Sequence, residues 1–137
     1  MGYTHYWKGQ VPAATESLLA VIDFIQTKVQ MQPSDIKLAS WDGTGFPTFD
    51  IASISFNGNL NAKDGDMSHE TCAIKYGSAV EFSFCKTAQK PYDIAVVAIL
   101  EALNMFSDSE FAWTSDGDAA ETLAGVELAH EAIKSIA

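Results

Sequence analysis

Between Phe84 and Asp93 the chain reads Phe84-Cys85-Lys86-Thr87-Ala88-Gln89-Lys90-Pro91-Tyr92-Asp93, a strand running into a helix. A helix start presents unbonded N–H groups and a partial positive charge, so it attracts anions. Lys86 and Lys90 place two of the chain's eight basic residues within five positions. Thr87 adds a hydroxyl donor, and Tyr92 a phenol that can hydrogen-bond or stack on a base or sugar. A phosphate or carboxylate suits this place. No glycine lies between Gly77 and the helix, so the segment is not a Gly-rich phosphate loop. The bland alternative is a solvated turn whose lysines offset an acidic surface.

His69-Glu70-Thr71 is the second candidate. Two apolar runs, Glu70 to Tyr76 and Ala79 to Cys85, flank Gly77-Ser78, which fits a two-residue II′ hairpin. With Tyr76 facing Ala79, His69 falls opposite Lys86, Glu70 opposite Cys85 and Cys72 opposite Ser83. That register joins His69 to the anion site and leaves Cys72 and Cys85 diagonal, a poor disposition for a disulfide. His and Glu can act as base and acid or as metal ligands, but adjacent strand positions point to opposite faces. His5, in Tyr3-Thr4-His5-Tyr6-Trp7, joins the cluster if the first strand lies near. Without helical His spacing or a third ligand, no metal and no other cofactor is expected.

Asp42 in Trp41-Asp42-Gly43-Thr44-Gly45 and Asp116 in Ser115-Asp116-Gly117-Asp118 sit in turns. Asp-Gly is ordinary turn chemistry there, and the functional reading is a bond to ligand hydroxyls such as a ribose. Cys85 precedes Lys86, but no His–Asp relay accompanies it at a recognisable spacing, so no cysteine nucleophile is assigned. His130 reads as a packed or partly exposed helix residue, and Trp7, Trp41 and Trp113 as core or pocket walls. The candidate ligand-binding set is His5, Trp7, Asp42, Asn57, His69, Lys86, Thr87, Lys90, Tyr92 and Asp116. No residue is assigned a catalytic role.

The elements that must position these residues follow from hydrophobic period and turn signals. Tyr3 to Lys8 alternates as an opening strand, and Gly9 and Pro12 turn it into a helix starting at Pro12 or Thr15. Leu18, Ile22, Ile25 and Val29 recur at helical spacing, and Pro33 stops the helix. Ile36 to Ser40 and Ile51 to Phe56 read as strands, with Asn61 to Ser68 an exposed loop. Pro91 suits the first position of a helix, and Asp93 complements its dipole. That helix runs to about Met105 and is apolar nearly all round, which marks a buried core element. Phe111 to Thr114 is a brief strand. Asp118 and Glu121 have capping-box spacing before a last helix whose apolar face is Leu123, Val126, Ala129, Ile133 and Ile136. The expected fold is a single α+β domain over residues 1–137, β-α-β-β-β-β-α-β-α, with a mostly antiparallel sheet and three helices.

Length and composition are consistent with one self-sufficient core: 137 residues, 47% hydrophobic and 19% charged. A net charge of −10 argues against binding DNA, RNA or an anionic membrane. No apolar run is long enough for a membrane span, and the start lacks the basic, apolar and small-residue segments of a secretory signal. A soluble, cytoplasmic protein is expected. The two cysteines, Cys72 and Cys85, are too few for a disulfide framework and read as buried thiols.

Six motifs taken together carry a resemblance: Gly2-Tyr3-Thr4-His5-Tyr6, Trp41-Asp42-Gly43-Thr44-Gly45, Ile54-Ser55-Phe56-Asn57-Gly58, His69-Glu70-Thr71, Phe84 to Thr87 with Lys90-Pro91-Tyr92-Asp93, and Ser115-Asp116-Gly117. Along nearly its whole length the chain resembles a family of small bacteriophage and prophage proteins without an assigned activity. The last helix departs, carrying Asp118-Ala119-Ala120-Glu121-Thr122 where relatives are more aromatic. The resemblance implies a phage context and a place in the cytoplasm of an infected bacterial host. With the anion site, it leads to the expectation of a small-ligand-binding protein that sequesters a phosphorylated, cyclic nucleotide signal of host antiviral defence. Such a sponge is expected to form a homo-oligomer. The alternatives are a small phosphoesterase or nucleotide-cleaving enzyme using His5 and His69, and an acidic protein that docks on and inhibits a host factor.

Overall fold

The computed structural model describes residues 3–31 and 37–136. Ten elements follow in order: β1 (Thr4–Gln10), α1 (Glu16–Gln30), β2 (Leu38–Ala39), β3 (Thr48–Phe49), β4 (Ser53–Gly58), β5 (Cys72–Lys75), β6 (Ala79–Lys86), α2 (Asp93–Phe106), β7 (Phe111–Ser115) and α3 (Ala119–Ser135). This is the expected α+β order with one short strand, β3, inserted before β4. Ile36 and Pro33 lie outside the described residues, so the strand expected from Ile36 is seen only as Leu38–Ala39 and the stop at Pro33 is not described.

The strands form two antiparallel sheets. β1 is the centre of the first, with β6 and β7 at its edges. β4 pairs with β2, β3 and β5 in the second. The expected hairpin between β5 and β6 does not form. Lys75 O accepts the Ser78 N–H at 3.3 Å, so the turn centres on Tyr76 and Gly77, with positive φ (73°) at Gly77 and not at Tyr76. That is a type II pattern, which splays its flanking strands where a primed turn would keep them paired. β5 therefore goes to β4, with Cys72 opposite Phe56, and β6 goes to β1, with Cys85 opposite His5. A pair of hydrogen bonds between Glu70 and Lys86 still crosses the gap. The Glu70 N–H donates to Lys86 O at 3.1 Å and the Lys86 N–H to Glu70 Oε1 at 2.8 Å, so Glu70 takes the place expected for His69.

α2 is the central helix. Ala95 to Leu100, Ala102 and Leu103 are all buried, as its all-round apolar sequence requires. It packs between α1 and α3 and against β7, inside one core cluster that also takes Trp7, Leu18, Ile25, Phe56, Tyr92 and Phe111. α1 starts at Thr15, whose hydroxyl caps the Leu18 N–H at 3.2 Å, and it buries the expected Leu18, Ile22, Ile25 and Val29. Asp118 and Glu121 form a full capping box at the start of α3.

The buried seam of α3 includes the expected Ala129, with Ile133 partly buried against the core, and otherwise differs from expectation. It consists of Thr122, Gly125, Ala129 and Ala132, while Leu123 is 52% and Ile136 39% exposed. Small residues win these positions because α2 and α3 approach closely: a Cβ built on Gly125 would stand 2.5 Å from Val97 Cβ and Cγ1. Gly125→Val is expected to cost about 2–3 kcal/mol, an overpacking penalty larger than the few tenths of a kcal/mol gained in helix propensity when a β-branched residue replaces glycine. Leu123→Ala should stay within about 0.5 kcal/mol. Urea denaturation of the two variants checks the seam, and equal costs would contradict it.

Candidate functional site

At the junction after β6 the backbone makes an unusual turn. Ala88 and Gln89 both have positive φ, 51° and 55°, a conformation that costs non-glycine residues about 1–3 kcal/mol each. Local bonds hold it: the Thr87 N–H donates to Tyr3 O at 3.1 Å, the Lys90 N–H to Thr87 O at 2.9 Å, and Gln89 Nε2 to Glu121 Oε2 at 3.0 Å. Pro91 and Tyr92 then lead into α2, and the Asp93 carboxylate lies over its first turn. Asp93 Oδ1 accepts the Thr87 hydroxyl at 2.5 Å and the His5 Nε2–H at 2.5 Å. The anion at this helix start is thus the chain's own.

Several of the candidate ligand residues turn inward here. His5, Thr87 and Tyr92 are fully buried and Trp7 nearly so. The Tyr92 phenol donates to Glu70 O at 2.5 Å. Lys90 Nζ donates to Asp66 O at 3.0 Å. Asn57 is also buried and clamps the backbone of His69, accepting its N–H at 2.9 Å and donating to its carbonyl at 2.9 Å. The His69 ring is left exposed beside Asp66, whose pKa is lowered chiefly by the Ser68 hydroxyl and N–H, with smaller help from Lys90 and His69. Asp42 closes its own loop, accepting from Ser40 Oγ, Thr44 N and Thr44 Oγ1, which hold its carboxyl below the usual range. His5 is sealed in the core against Asp93 while His69 faces solvent, so the two histidines do not converge on one exposed point.

Lys86 and Asp116 lie on a different surface. The helices cover one face of the β6-β1-β7 sheet, the face of His5, Trp7 and Cys85. The other face is open. Register places Lys86 beside Thr4, and the Asp116 N–H donates to Thr4 O, so one end of the face carries a cation and a carboxylate across three strands. The next row is Phe84, Tyr6 and Thr114, and beyond it lie Phe82, Lys8 and Ala112. Phe82 is 61% and Phe84 45% exposed. Tyr6 and Phe82 have ring centroids 5.9 Å apart, Phe82 and Phe84 6.1 Å. Lys86 Nζ lies 5.7 Å from the Phe84 centroid, and the Tyr6 phenol donates to Asp116 Oδ1 at 3.1 Å. A shallow hollow of about 230 Å³ opens among Tyr6, Lys8, Phe82, Ala112 and Thr114.

No protein-family model, curated protein or solved structure matches the chain. Its chemistry is therefore read from this geometry. An aromatic shelf offers π-faces to a flat ring, and cations at two ends of the shelf offer charge to an anionic substituent. A larger hollow, about 520 Å³ between Gln10–Ala13 and Phe106–Glu110, carries Asp108 and Glu110 and no cation, and so repels anions. No cluster of three metal-ligating side chains occurs among the described residues.

Tyr6, Phe82 and Phe84 were missing from the candidate set although a signal was present. In β6, residues 82, 84 and 86 share parity, so the two phenylalanines project with Lys86 and opposite to Cys85. Which parity faces the helices depends on how β6 docks, and the mistaken hairpin concealed it.

Burial raises the pKa of Tyr92 far above its ordinary value of 10.0, with further contributions from Cys85, Cys72 and Asp93. Burial, then Asp50, pushes Tyr76 up to about 12. Raised phenol pKa values mean that the folded state holds protons the unfolded chain releases above its own pKa. This stabilisation is complete below about pH 10 and is lost as pH climbs from there toward the folded-state values. The melting temperature should fall steadily above pH 10. Tyr92→Phe should melt lower at pH 8 and decline less steeply, and an unchanged alkaline slope would remove Tyr92 as a cause.

Proposed function

We propose that this chain is a binding module for a small nucleotide-class ligand, held on the open face of the β6-β1-β7 sheet. The supporting observation is the row of Tyr6, Phe82 and Phe84, bordered by Lys86 and Lys8 and ending at Asp116. A base stacks on the aromatic rings, Lys86 or Lys8 meets a phosphate, and Asp116 accepts from ribose hydroxyls. A net charge of −10 disfavours a long phosphate backbone and leaves the small ligand as the better fit. With the resemblance to phage and prophage proteins, the role proposed is sequestration of a phosphorylated nucleotide signal of host antiviral defence.

Calorimetric titration with nucleoside monophosphates, cyclic mononucleotides and cyclic oligonucleotides tests this. At least one should bind; Phe84→Ala should weaken it about tenfold, as expected for a base–aromatic stack, and Lys86→Ala should weaken it through loss of the phosphate contact. Lys90→Ala should leave affinity unchanged. Heat from none of the panel, with folded protein, would sink the idea. The ligand should be recovered intact on denaturation, and a cleaved product would restore the nucleotide-cleaving reading instead.

A further inference from the structure

His5 and Cys85 face each other across β1 and β6 as direct register partners. Paired residues send their side chains to the same side of a sheet with Cβ atoms roughly 5 Å apart, and here that side is the core. Both are fully buried. Because Asp93 accepts the Nε2–H of His5, the lone pair of that ring sits on Nδ1, which has no hydrogen-bond partner among the described residues. A carboxylate thus orients an imidazole whose basic nitrogen is unspent, directly across from a thiol. Three separate elements thus bring together the components of a thiol–imidazole–carboxylate relay, with the Cys85 thiol resting on Glu70 O and not on Nδ1.

A second thiol completes the group. The loop before β5 is pinned to the end of β6 by the two Glu70–Lys86 bonds, and Cys85 Sγ donates to Glu70 O at 3.5 Å. Cys72, two residues on, lies against Cys85 with no solvent exposure. The hairpin register that would have kept the sulfurs diagonal is absent. Cys72 belongs to the second sheet and Cys85 to the first, so a bond between them would cross from one to the other.

We propose that Cys72 and Cys85 form an oxidisable dithiol, with His5 and Asp93 as its base, which a small hydroperoxide converts to a disulfide joining the two sheets. His5 Nδ1 takes the Cys85 proton as the sulfur attacks the peroxide. An S–O bond forms, the O–O bond breaks, and the proton passes to the departing oxygen, giving water or an alcohol. Cys72 then attacks the Cys85 sulfenic acid: the S–S bond forms, the S–O bond breaks, and water leaves. The two sulfurs lose two electrons and the peroxide gains them. Contact with Cys85, and then burial, hold the Cys72 thiol well above its ordinary pKa, so Cys72 keeps its proton while Cys85 reacts first. Burial of both sulfurs restricts the oxidant to a small molecule.

The full-length reduced chain, treated with hydrogen peroxide and mapped by mass spectrometry without reduction, should lose two hydrogens and yield a linked Cys72–Cys85 peptide that dithiothreitol separates. Cys72→Ser should stop at a Cys85 sulfenic acid, trapped by dimedone when the oxidised chain is unfolded in its presence. Asp93→Asn, or His5→Gln should that variant not fold, should slow disulfide formation at least about tenfold and flatten its pH dependence. Two thiols that stay free in the folded chain, or only inter-chain disulfides, overturn the dithiol. Oxidation of a folded variant at the wild-type rate and pH dependence overturns the base.

Discussion

At the first turn of α2 the Asp93 carboxylate accepts from both the Thr87 hydroxyl and the His5 imidazole. Few polar contacts in the chain join so much. Thr87 follows the end of β6, His5 lies on β1, and Asp93 opens the helix that fills the core. Both donors are fully buried, so each would lose hydrogen-bonding capacity without this acceptor. The carboxylate also complements the positive end of the helix. Because α2 is apolar nearly all round, few side chains on its own flanks distinguish one rotation from another. The polar contact at its start fixes how the helix enters, and the close α2–α3 seam at Gly125 fixes its depth.

That arrangement determines what each sheet face can do. His5, Trp7 and Cys85 turn toward the helices, so alternation sends Tyr6, Phe84 and Lys86 outward. The inner face then carries the polar groups expected to bind a ligand, with their donors already committed to Asp93 and Glu70. The outer face carries aromatic rings at high exposure, an expensive disposition for a monomeric protein unless something uses it. Two charge patterns separate the faces further. The inner one resolves its carboxylate internally, and the outer one leaves Lys8 and Lys86 without an acidic bond partner among the described residues.

The divergence of β5 and β6 has the same reach. A positive φ confined to the second central residue of the turn at Tyr76–Gly77 splays the strands, and the chain makes two sheets where a primed turn would have favoured one. Cys72 and Cys85 consequently meet across a sheet boundary, and Tyr92 fits beneath them, edge-on to Phe56 at 6.3 Å. The core is continuous through this boundary, which is why burial acts so strongly on the Tyr92 phenol.

By itself, the sequence determined the elements that local physics controls. The period of Leu18, Ile22, Ile25 and Val29, the Asp118 cap, the all-apolar run in α2 and the alternation of β4 all describe interactions spanning a few residues. Their order, and hence the α+β class, was legible from them. Tertiary structure alone decided which strand joins which sheet, which parity of β6 is solvated, and which residues form the seam of α3. Each depends on partners far along the chain. Gly125 is small because of Val97, Thr87 is satisfied because of Asp93, and Phe84 is open because His5 and Cys85 take the covered side. Junction residues such as Thr87 and Tyr92 have the chemistry of a ligand site in isolation. Only the fold shows that their hydrogen bonds are used to build it.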